Sequence, residues 1–353
     1  MVEKIRVAVV DDSLFIRTIL SDMLSEDHDI EVVGTAKDGI EALRLIENKE
    51  VDVVTMDIVM PNLDGIEALK KIMGMKEPPA VVMLSAADRA SADTVMKSLD
   101  IGAFDFILKP VSTSSTEILG LKWEITTKIK AAFKSEWKRA PEECIADMKM
   151  PSTDSKSSVG SDRVIAIGSS TGGPVALRYI LTCMPPHLPS PIVIAQHMPK
   201  TFTESFAERL AKKTKIKVSE AMDGDVLRDG HAYIAPGDRH MRIFLNARRK
   251  LEIAFEEGDR IHGGRPSVDL LLTSAAEAAG KKAIGVILTG MGSDGAKGIK
   301  KSKESGGYTI AQDEETSLVW SMPHSAIRLG VVDKVLPLQD IPNAVLNRVG
   351  MRT

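Results

Sequence analysis

Twice along this 353-residue chain, short apolar runs alternate with helical patterns, and that alternation limits the folds open to it. In residues 4–132 the strand-like runs are 6–10, 31–36, 51–56, 80–84 and 105–108. Helical patterns lie around 14–26, 39–48, 64–74, 91–100 and 116–134. Five strands alternating with five helices predict a parallel sheet covered on both faces. From 163 the alternation restarts, with strands at 163–167, 191–196, 283–289 and 307–311 and helices at 174–183, 202–213, 266–279 and 295–305. Between 216 and 257 the pattern turns to β, and two runs flanking Asn246-Ala-Arg-Arg249 predict a hairpin. The fold class is therefore α/β, with two doubly wound parallel sheets and an antiparallel addition in the second.

The stretch between the two halves has a different composition. Residues 140–162 are rich in serine, proline and charge and have little to bury, as in a flexible linker. The expected division is a first domain at 1–134, a linker at 135–162 and a second domain at 163–353. The chain is 43% hydrophobic and 27% charged, with a net charge of −3, which argues against nucleic acid as a main partner. Two cysteines, Cys144 and Cys183, make no disulfide framework and no zinc spacing, and read as plain thiols in a reducing compartment. The chain enters a strand directly from Met1, and no apolar run is long enough to span a bilayer. A cytoplasmic protein without membrane insertion is expected.

In a doubly wound sheet, ligands bind at the carboxyl ends of the strands. In the first domain Asp11 and Asp12 follow the first strand, Asp57 ends the third, Ser85 the fourth, and Lys109 the fifth, followed by Pro110. Several carboxylates in one pocket repel one another unless a cation lies among them, and an oxygen-only set suits Mg²⁺. A carboxylate there can accept a phosphoryl group as nucleophile, with a lysine and a hydroxyl to stabilise the added charge. A strand-end aspartate alone would more often cap a helix; the full set at these ends argues for more.

This domain resembles the receiver domain of two-component response regulators. The matching residues are Val-Val-Asp11-Asp12-Ser, Met-Asp57-Ile-Val-Met-Pro61-Asn-Leu-Asp-Gly65, Leu-Ser85-Ala and Phe106-Ile-Leu-Lys109-Pro110. The resemblance implies a flavodoxin-like receiver fold with Asp57 as phosphoacceptor. Mg²⁺ would be held by Asp11, Asp12, Asp57 and the carbonyl of Val59. Ser85 and Lys109 would contact the phosphoryl group, and Phe106 would be the aromatic that changes position with phosphorylation.

In the second domain the run 163–167 leads into Gly168-Ser-Ser-Thr-Gly-Gly173 and then a helix with proline at its start. Such a turn exposes a side-chain oxygen beside a helix N-terminus. His197 ends the strand 191–196, and Asp294 follows the strand 283–289 in Gly290-Met-Gly-Ser-Asp-Gly295. Parallel strands gather all three at one edge. Histidine is the usual base for a serine, an aspartate fixes its tautomer, and the glycine-rich loop offers backbone donors for an oxyanion. The other histidines read as core or surface residues, with His240 and His262 the least secure.

Two motifs compete with this reading. Gly168-x-Ser170-x-Gly172 fits the nucleophile elbow of α/β-hydrolases, but there the order is serine, acid, histidine, and here it is serine, histidine, aspartate. Gly290-x-Gly292-x-x-Gly295 fits a dinucleotide fingerprint, with Asp313 at a distance suited to ribose. That alternative leaves Ser170 and His197 without a role.

The second domain resembles the catalytic domain of chemotaxis protein-glutamate methylesterases. The residues that carry the resemblance are Ile-Gly-Ser-Ser170-Thr-Gly-Gly, Gln-His197-Met-Pro, Ile-Ala-Pro236-Gly-Asp-Arg-His240-Met, Arg265-Pro-Ser-Val-Asp269, Leu-Thr-Gly-Met291-Gly-Ser-Asp294-Gly, Ala-Gln-Asp-Glu and Trp320-Ser-Met-Pro323. It implies Ser170 as nucleophile, His197 as base, Asp294 as orienting acid and the Met291 backbone N–H as oxyanion donor. The commonest family residue before the serine is alanine; here it is Ser169, and register with Thr-Gly-Gly points to Ser170. With the receiver attached, the resemblance implies hydrolysis of glutamate methyl esters on chemoreceptors, deamidation of receptor glutamines, a chemotaxis histidine kinase as phosphodonor, and no cofactor for ester hydrolysis. The receiver would shield the catalytic mouth until Asp57 is phosphorylated. The rival classes are a non-catalytic phosphorylation-dependent signalling module and a receiver-controlled dinucleotide enzyme.

Overall fold

In the computed structural model, every apolar run of the first half that reads as a strand is one. The structure describes residues 4–86, 88–109, 115–134, 163–262 and 264–351, which fall into two compact units, one within 1–140 and one within 141–353. Expectations for the linker 135–162, for Pro110 and for Cys144 fall outside the described residues.

The first unit runs β1 (Ile5–Val10), α1 (Leu14–Ser25), β2 (Ile30–Ala36), α2 (Gly39–Asn48), β3 (Val53–Asp57), α3 (Gly65–Met73), β4 (Ala80–Ser85), α4 (Arg89–Ile101), β5 (Asp105–Leu108) and α5 (Ser115–Lys134). The sheet is parallel throughout, in the order β2-β1-β3-β4-β5. Its central strands β3 and β4 are buried almost end to end, as strands covered on both faces must be. Helices start where a side chain satisfies an orphan N–H: Asp38 caps α2, Asp64 caps α3 and Asp88 caps α4.

The second unit begins with β6 (Val164–Ser169), α6 (Gly173–Thr182), β7 (Ile192–Gln196) and α7 (Lys200–Lys213). There follow β8 (Lys217–Glu220), β9 (His231–Ile234), β10 (His240–Leu245) and β11 (Leu251–Glu256). It closes with α8 (Val268–Ala279), β12 (Ala283–Ile287), α9 (Ala296–Glu304), β13 (Tyr308–Gln312), α10 (Ser321–Ile327), β14 (Lys334–Leu336) and α11 (Ile341–Arg348). A seven-stranded parallel sheet has the order β14-β13-β12-β6-β7-β9-β8, and β10 and β11 form a separate antiparallel pair.

The hairpin expected within the β-rich stretch 216–257 is β10–β11, and the other strands there, β8 and β9, join the parallel sheet at its edge. These two strands have four residues each, too short for their pattern to declare which sheet they join. Cys183, which caps the C-terminus of α6, is disulfide-bonded and not the plain thiol expected.

Close approach of α8 to the end of β6 ties the helix to the strand that carries the serine turn. A Cβ on Gly168 would lie 2.0 Å from Val268 Cγ1. Gly168→Ala should therefore destabilise the protein by about 1–3 kcal/mol through overpacking. Thermal melts should show a lower Tm, partly restored by adding Val268→Ala; an unchanged Tm in the single variant would refute this packing.

Candidate active site

The candidate catalytic residues come from three neighbouring strands. Ser170 directly follows β6, His197 directly follows β7, and Asp294 lies in the loop between β12 and α9. The sheet order places β12 and β7 on either side of β6. Across that span His197 Nε2 lies 2.9 Å from Asp294 Oδ2.

Asp294 is buried, at 1% exposure, yet its carboxylate is fully engaged. Oδ1 accepts from the Ser267 hydroxyl at 3.1 Å and the Asp269 N–H at 2.9 Å. Oδ2 accepts from the Val268 N–H at 2.8 Å as well as facing His197. These donors belong to the cap and first turn of α8, where the helix favours negative charge. Burial alone would push the Asp294 pKa up; the His197 hydrogen bond and charge, with the Asp269 and Val268 N–H groups, outweigh it and hold the carboxyl below its ordinary value. An ionised carboxylate only accepts, so Nε2 of His197 turns a proton toward it, and in the neutral imidazole the lone pair lies on Nδ1. Nδ1 is the ring atom free to act as base.

Of the two adjacent serines, Ser169 is the last residue of β6 and fully buried, and its hydroxyl donates to Gln196 Oε1 at 2.7 Å. Ser170 is half-buried, and among the described residues its hydroxyl donates to no protein group. Its backbone is fixed: the N–H donates to the Thr289 carbonyl at 3.1 Å, and the carbonyl accepts from the Gly173 N–H at 2.8 Å. The turn needs Gly172 in the left-handed region, at φ 76°, where a Cβ would also meet Leu318.

The glycine-rich loop lies against this turn. A Cβ on Gly290 would be 2.9 Å from Ser170 Cβ. The Gly290 N–H donates to the Val319 carbonyl at 2.8 Å and the Gly292 N–H to Ser321 Oγ at 3.0 Å. Among the described residues the intervening Met291 N–H has no protein acceptor.

Sequence reasoning missed the supports of Asp294. His240, set aside as a core or surface residue, is buried and accepts the Ser267 N–H on Nδ1 at 3.1 Å, while its Nε2 faces the Asp259 carbonyl at 3.0 Å. Asp269 accepts from the N–H groups of Gly295 and Gly298 at 2.9 and 2.8 Å, so it caps α9 just as Asp294 caps α8. That bears on the dinucleotide alternative, because Asp269 already occupies the anion site at the α9 N-terminus. Asp313, its ribose candidate, instead accepts from the N–H and hydroxyl of Thr316.

In the first unit, ligand atoms of Asp11, Asp12 and Asp57 lie within 4.8 Å of one another at the strand ends. Lys109 Nζ sits 2.6 Å from Asp11 Oδ2 and 2.9 Å from Asp57 Oδ1. Burial raises the Asp57 pKa above its ordinary value despite Lys109. At Lys109 burial pulls downward, but Asp11 and Asp57 together raise the ammonium pKa. The oxygen-only donor set, with Asp12 exposed and Asp11 and Asp57 buried, fits a hard divalent cation with water in its remaining positions. Ser85 is buried at the end of β4 and donates to the Ala86 carbonyl at 2.9 Å. Phe106 is buried, with Lys128 Nζ 5.5 Å from its ring centroid. The Val59 side chain is exposed, two positions beyond Asp57. Gly65 is required by contact: a Cβ there would lie 2.0 Å from the Asp57 carbonyl oxygen.

Fold and site define a class: an α/β domain with serine, histidine and aspartate at adjacent strand ends, in one chain with a carboxylate-lined α/β domain. Residues 165–345 match the family model for CheB methylesterase, and residues 7–118 match that for the response regulator receiver domain. The chain is 44% identical over 350 residues to a protein-glutamate methylesterase/protein-glutamine glutaminase of Pyrococcus horikoshii, covering 99% of this chain and 95% of that one. It is 41% identical over 357 residues to the protein of the same name from Methanococcus maripaludis, with 97% of each covered. The crystal structure of the Thermotoga maritima CheB methylesterase catalytic domain aligns with TM-score 0.52 and 45% identity, covering 53% of this chain and 98% of that one. The chain belongs to the CheB methylesterase family and carries a receiver domain in addition.

The Asp294 environment makes a testable demand. An asparagine keeps one acceptor and turns an NH₂ toward N–H donors, so Asp294→Asn should cost roughly 1–3 kcal/mol at pH 7. Because the folded carboxyl pKa is depressed, the wild-type advantage is present above the ordinary aspartate value of about 4 and is lost as pH falls through the folded pKa. Urea midpoints at neutral and acidic pH measure this; equal stability of the two proteins at pH 7 would contradict it.

Proposed function

We propose that the chain is a phosphorylation-activated esterase that removes methyl groups from glutamate side chains of chemoreceptors and also deamidates receptor glutamines. The observation that carries the catalytic reading is the 2.9 Å contact of His197 with a locked, ionised Asp294, beside the strand that leads into Ser170. The names borne by the Pyrococcus and Methanococcus relatives support the substrate class.

In this reading Ser170 Oγ attacks the ester carbonyl carbon while His197 Nδ1 takes the hydroxyl proton. The carbonyl oxygen gains negative charge, and the Met291 N–H donates to it. Collapse of the tetrahedral species breaks the carbon–oxygen bond to the methoxy group, which leaves as methanol with the proton from His197. Water then attacks the acyl-enzyme, its proton passing to His197, and releases the glutamate carboxylate and the Ser170 hydroxyl. A glutamine amide follows the same course with ammonia leaving. Asp294 stabilises the charged imidazole without taking its proton.

On the receiver, an Asp57 carboxylate oxygen attacks the phosphorus of a histidine kinase's phosphohistidine, the phosphorus–nitrogen bond breaks and the kinase imidazole leaves, and Lys109 and Ser85 hold the transferred group. Asp11, Asp12, Asp57 and the Val59 carbonyl would hold Mg²⁺, which when bound neutralises charge around the transferred phosphoryl group. The proposed division is 1–134, 135–162 and 163–353, with the unphosphorylated receiver shielding the catalytic mouth, and the proposed location is the cytoplasm.

Methanol release from methylated receptor membranes tests the catalytic assignment. Ser170→Ala should abolish it, whereas Ser169→Ala should stay within about tenfold of wild type, the loss of one neutral hydrogen bond. The reverse ranking would move the nucleophile to Ser169. Labelling with a small-molecule phosphodonor tests the receiver: Asp57→Asn should take up no phosphoryl group, and label at another residue would refute the phosphoacceptor. Deleting 1–140 should raise basal methanol release, and a fall would count against shielding.

A further inference from the structure

The parallel ladder between β6 and β7 ends at the pair Ser169 and Gln196. One residue further on, the two chains part, and those two residues are Ser170 and His197. The Gln196 side chain crosses this parting. Its Nε2 lies 2.9 Å from the Ser170 carbonyl oxygen and 3.0 Å from the His197 carbonyl oxygen. Both partners only accept, so the amide orientation is fixed by chemistry: the NH₂ faces the two carbonyls and spends one hydrogen on each. Oε1 then faces Ser169, whose hydroxyl donates to it at 2.7 Å. The group is 2% exposed, so water does not compete for these bonds. Backbone pairing closes the frame, with the His197 N–H donating to the Ser169 carbonyl at 3.1 Å. Space is reserved for the amide as well: a Cβ on Gly173 would lie 2.0 Å from Gln196 Oε1.

We propose that Gln196 is a positioning residue for ester hydrolysis: its amide, seated by the Ser169 hydroxyl, binds the Ser170 and His197 carbonyls and sets how the base meets the nucleophile. This rests on the assignment of Ser170 and His197 above. Gln196 touches neither substrate nor the reacting atoms. Its effect is on geometry, and displacement of a reacting group by about an ångström can cost a hundredfold in rate.

The test uses the full chain with a phosphodonor, methylated receptor membranes as substrate and a fluorophosphonate as serine probe. Gln196→Met keeps length and removes both donors. It should lower kcat by about 10- to 100-fold, leave KM within about twofold, and lower the fluorophosphonate labelling rate at Ser170 in parallel. Ser169→Ala should lower kcat by about 2- to 10-fold with KM again unchanged, the worth of one hydrogen bond. A merely structural role would lower Tm without splitting kcat from KM in folded enzyme. Wild-type kcat and labelling in both folded variants overturn the proposal. Should Gln196→Met not fold, the Gln196 side-chain amide protons in the wild-type NMR spectrum decide: slow exchange supports the clamp, and exchange at the rate of a free amide overturns it. Ser170→Ala is the separate control. Activity surviving there removes the nucleophile assignment, whereas its loss alongside an unaffected Gln196→Met removes only the clamp.

Discussion

A buried carboxylate with four donors is the interaction on which the geometry of the second domain's candidate site depends. Asp294 could not stay ionised in that position without compensation, because burial disfavours the charge. The compensation comes from the first turn of α8 and from His197. The same contacts that keep the carboxylate charged also place a proton on Nε2 of the imidazole and leave Nδ1, the base of the proposed mechanism, facing away from Asp294. In that proposal helix capping and catalysis share one set of hydrogen bonds.

The support extends outward in a regular way. Asp294 stands before α9 and caps α8, while Asp269 stands in α8 and caps α9. Each helix start thus holds the other's carboxylate, and the loop that carries the Met291 N–H cannot move without disturbing both. On the opposite side of the serine strand, Gln196 ties the serine and histidine turns together. The Ser170 backbone is held from both flanks, by Thr289 of the β12 side and by Gln196 of β7.

Strand-to-helix alternation and the polar residues at strand ends made most of this legible in the sequence. Ser170, His197 and Asp294 are far apart along the chain, and only a parallel sheet gathers them; the alternation predicts that sheet. The supports were not legible for a physical reason. Asp269 reads as an ordinary N-terminal helix aspartate and Gln196 as an ordinary strand residue, and their partners lie on other elements. His240 lies in one of the motifs that carry the family resemblance, but the motif does not give its part, because a histidine's role depends on which N–H it accepts. The short strands β8 and β9 belong to the parallel sheet through pairing alone, which no local pattern encodes. In the first unit the reverse holds: Asp11, Asp57 and Lys109 meet because each ends a strand, and their positions could be read directly.

The place of β6 within its sheet has a consequence for the order of events during synthesis. Its neighbours β7 and β12 are separated by a long stretch of chain, and the Ser170 N–H waits for the Thr289 carbonyl. The glycine loop in turn is closed by Val319, Ser321 and Met322, farther still along the chain. A ribosome delivers the whole receiver long before these residues emerge. The first sheet can therefore fold by itself early, whereas the serine turn has no completed glycine loop beside it until residues 319–322 have emerged. In a nascent chain the candidate hydrolytic site is thus assembled well after the receiver sheet.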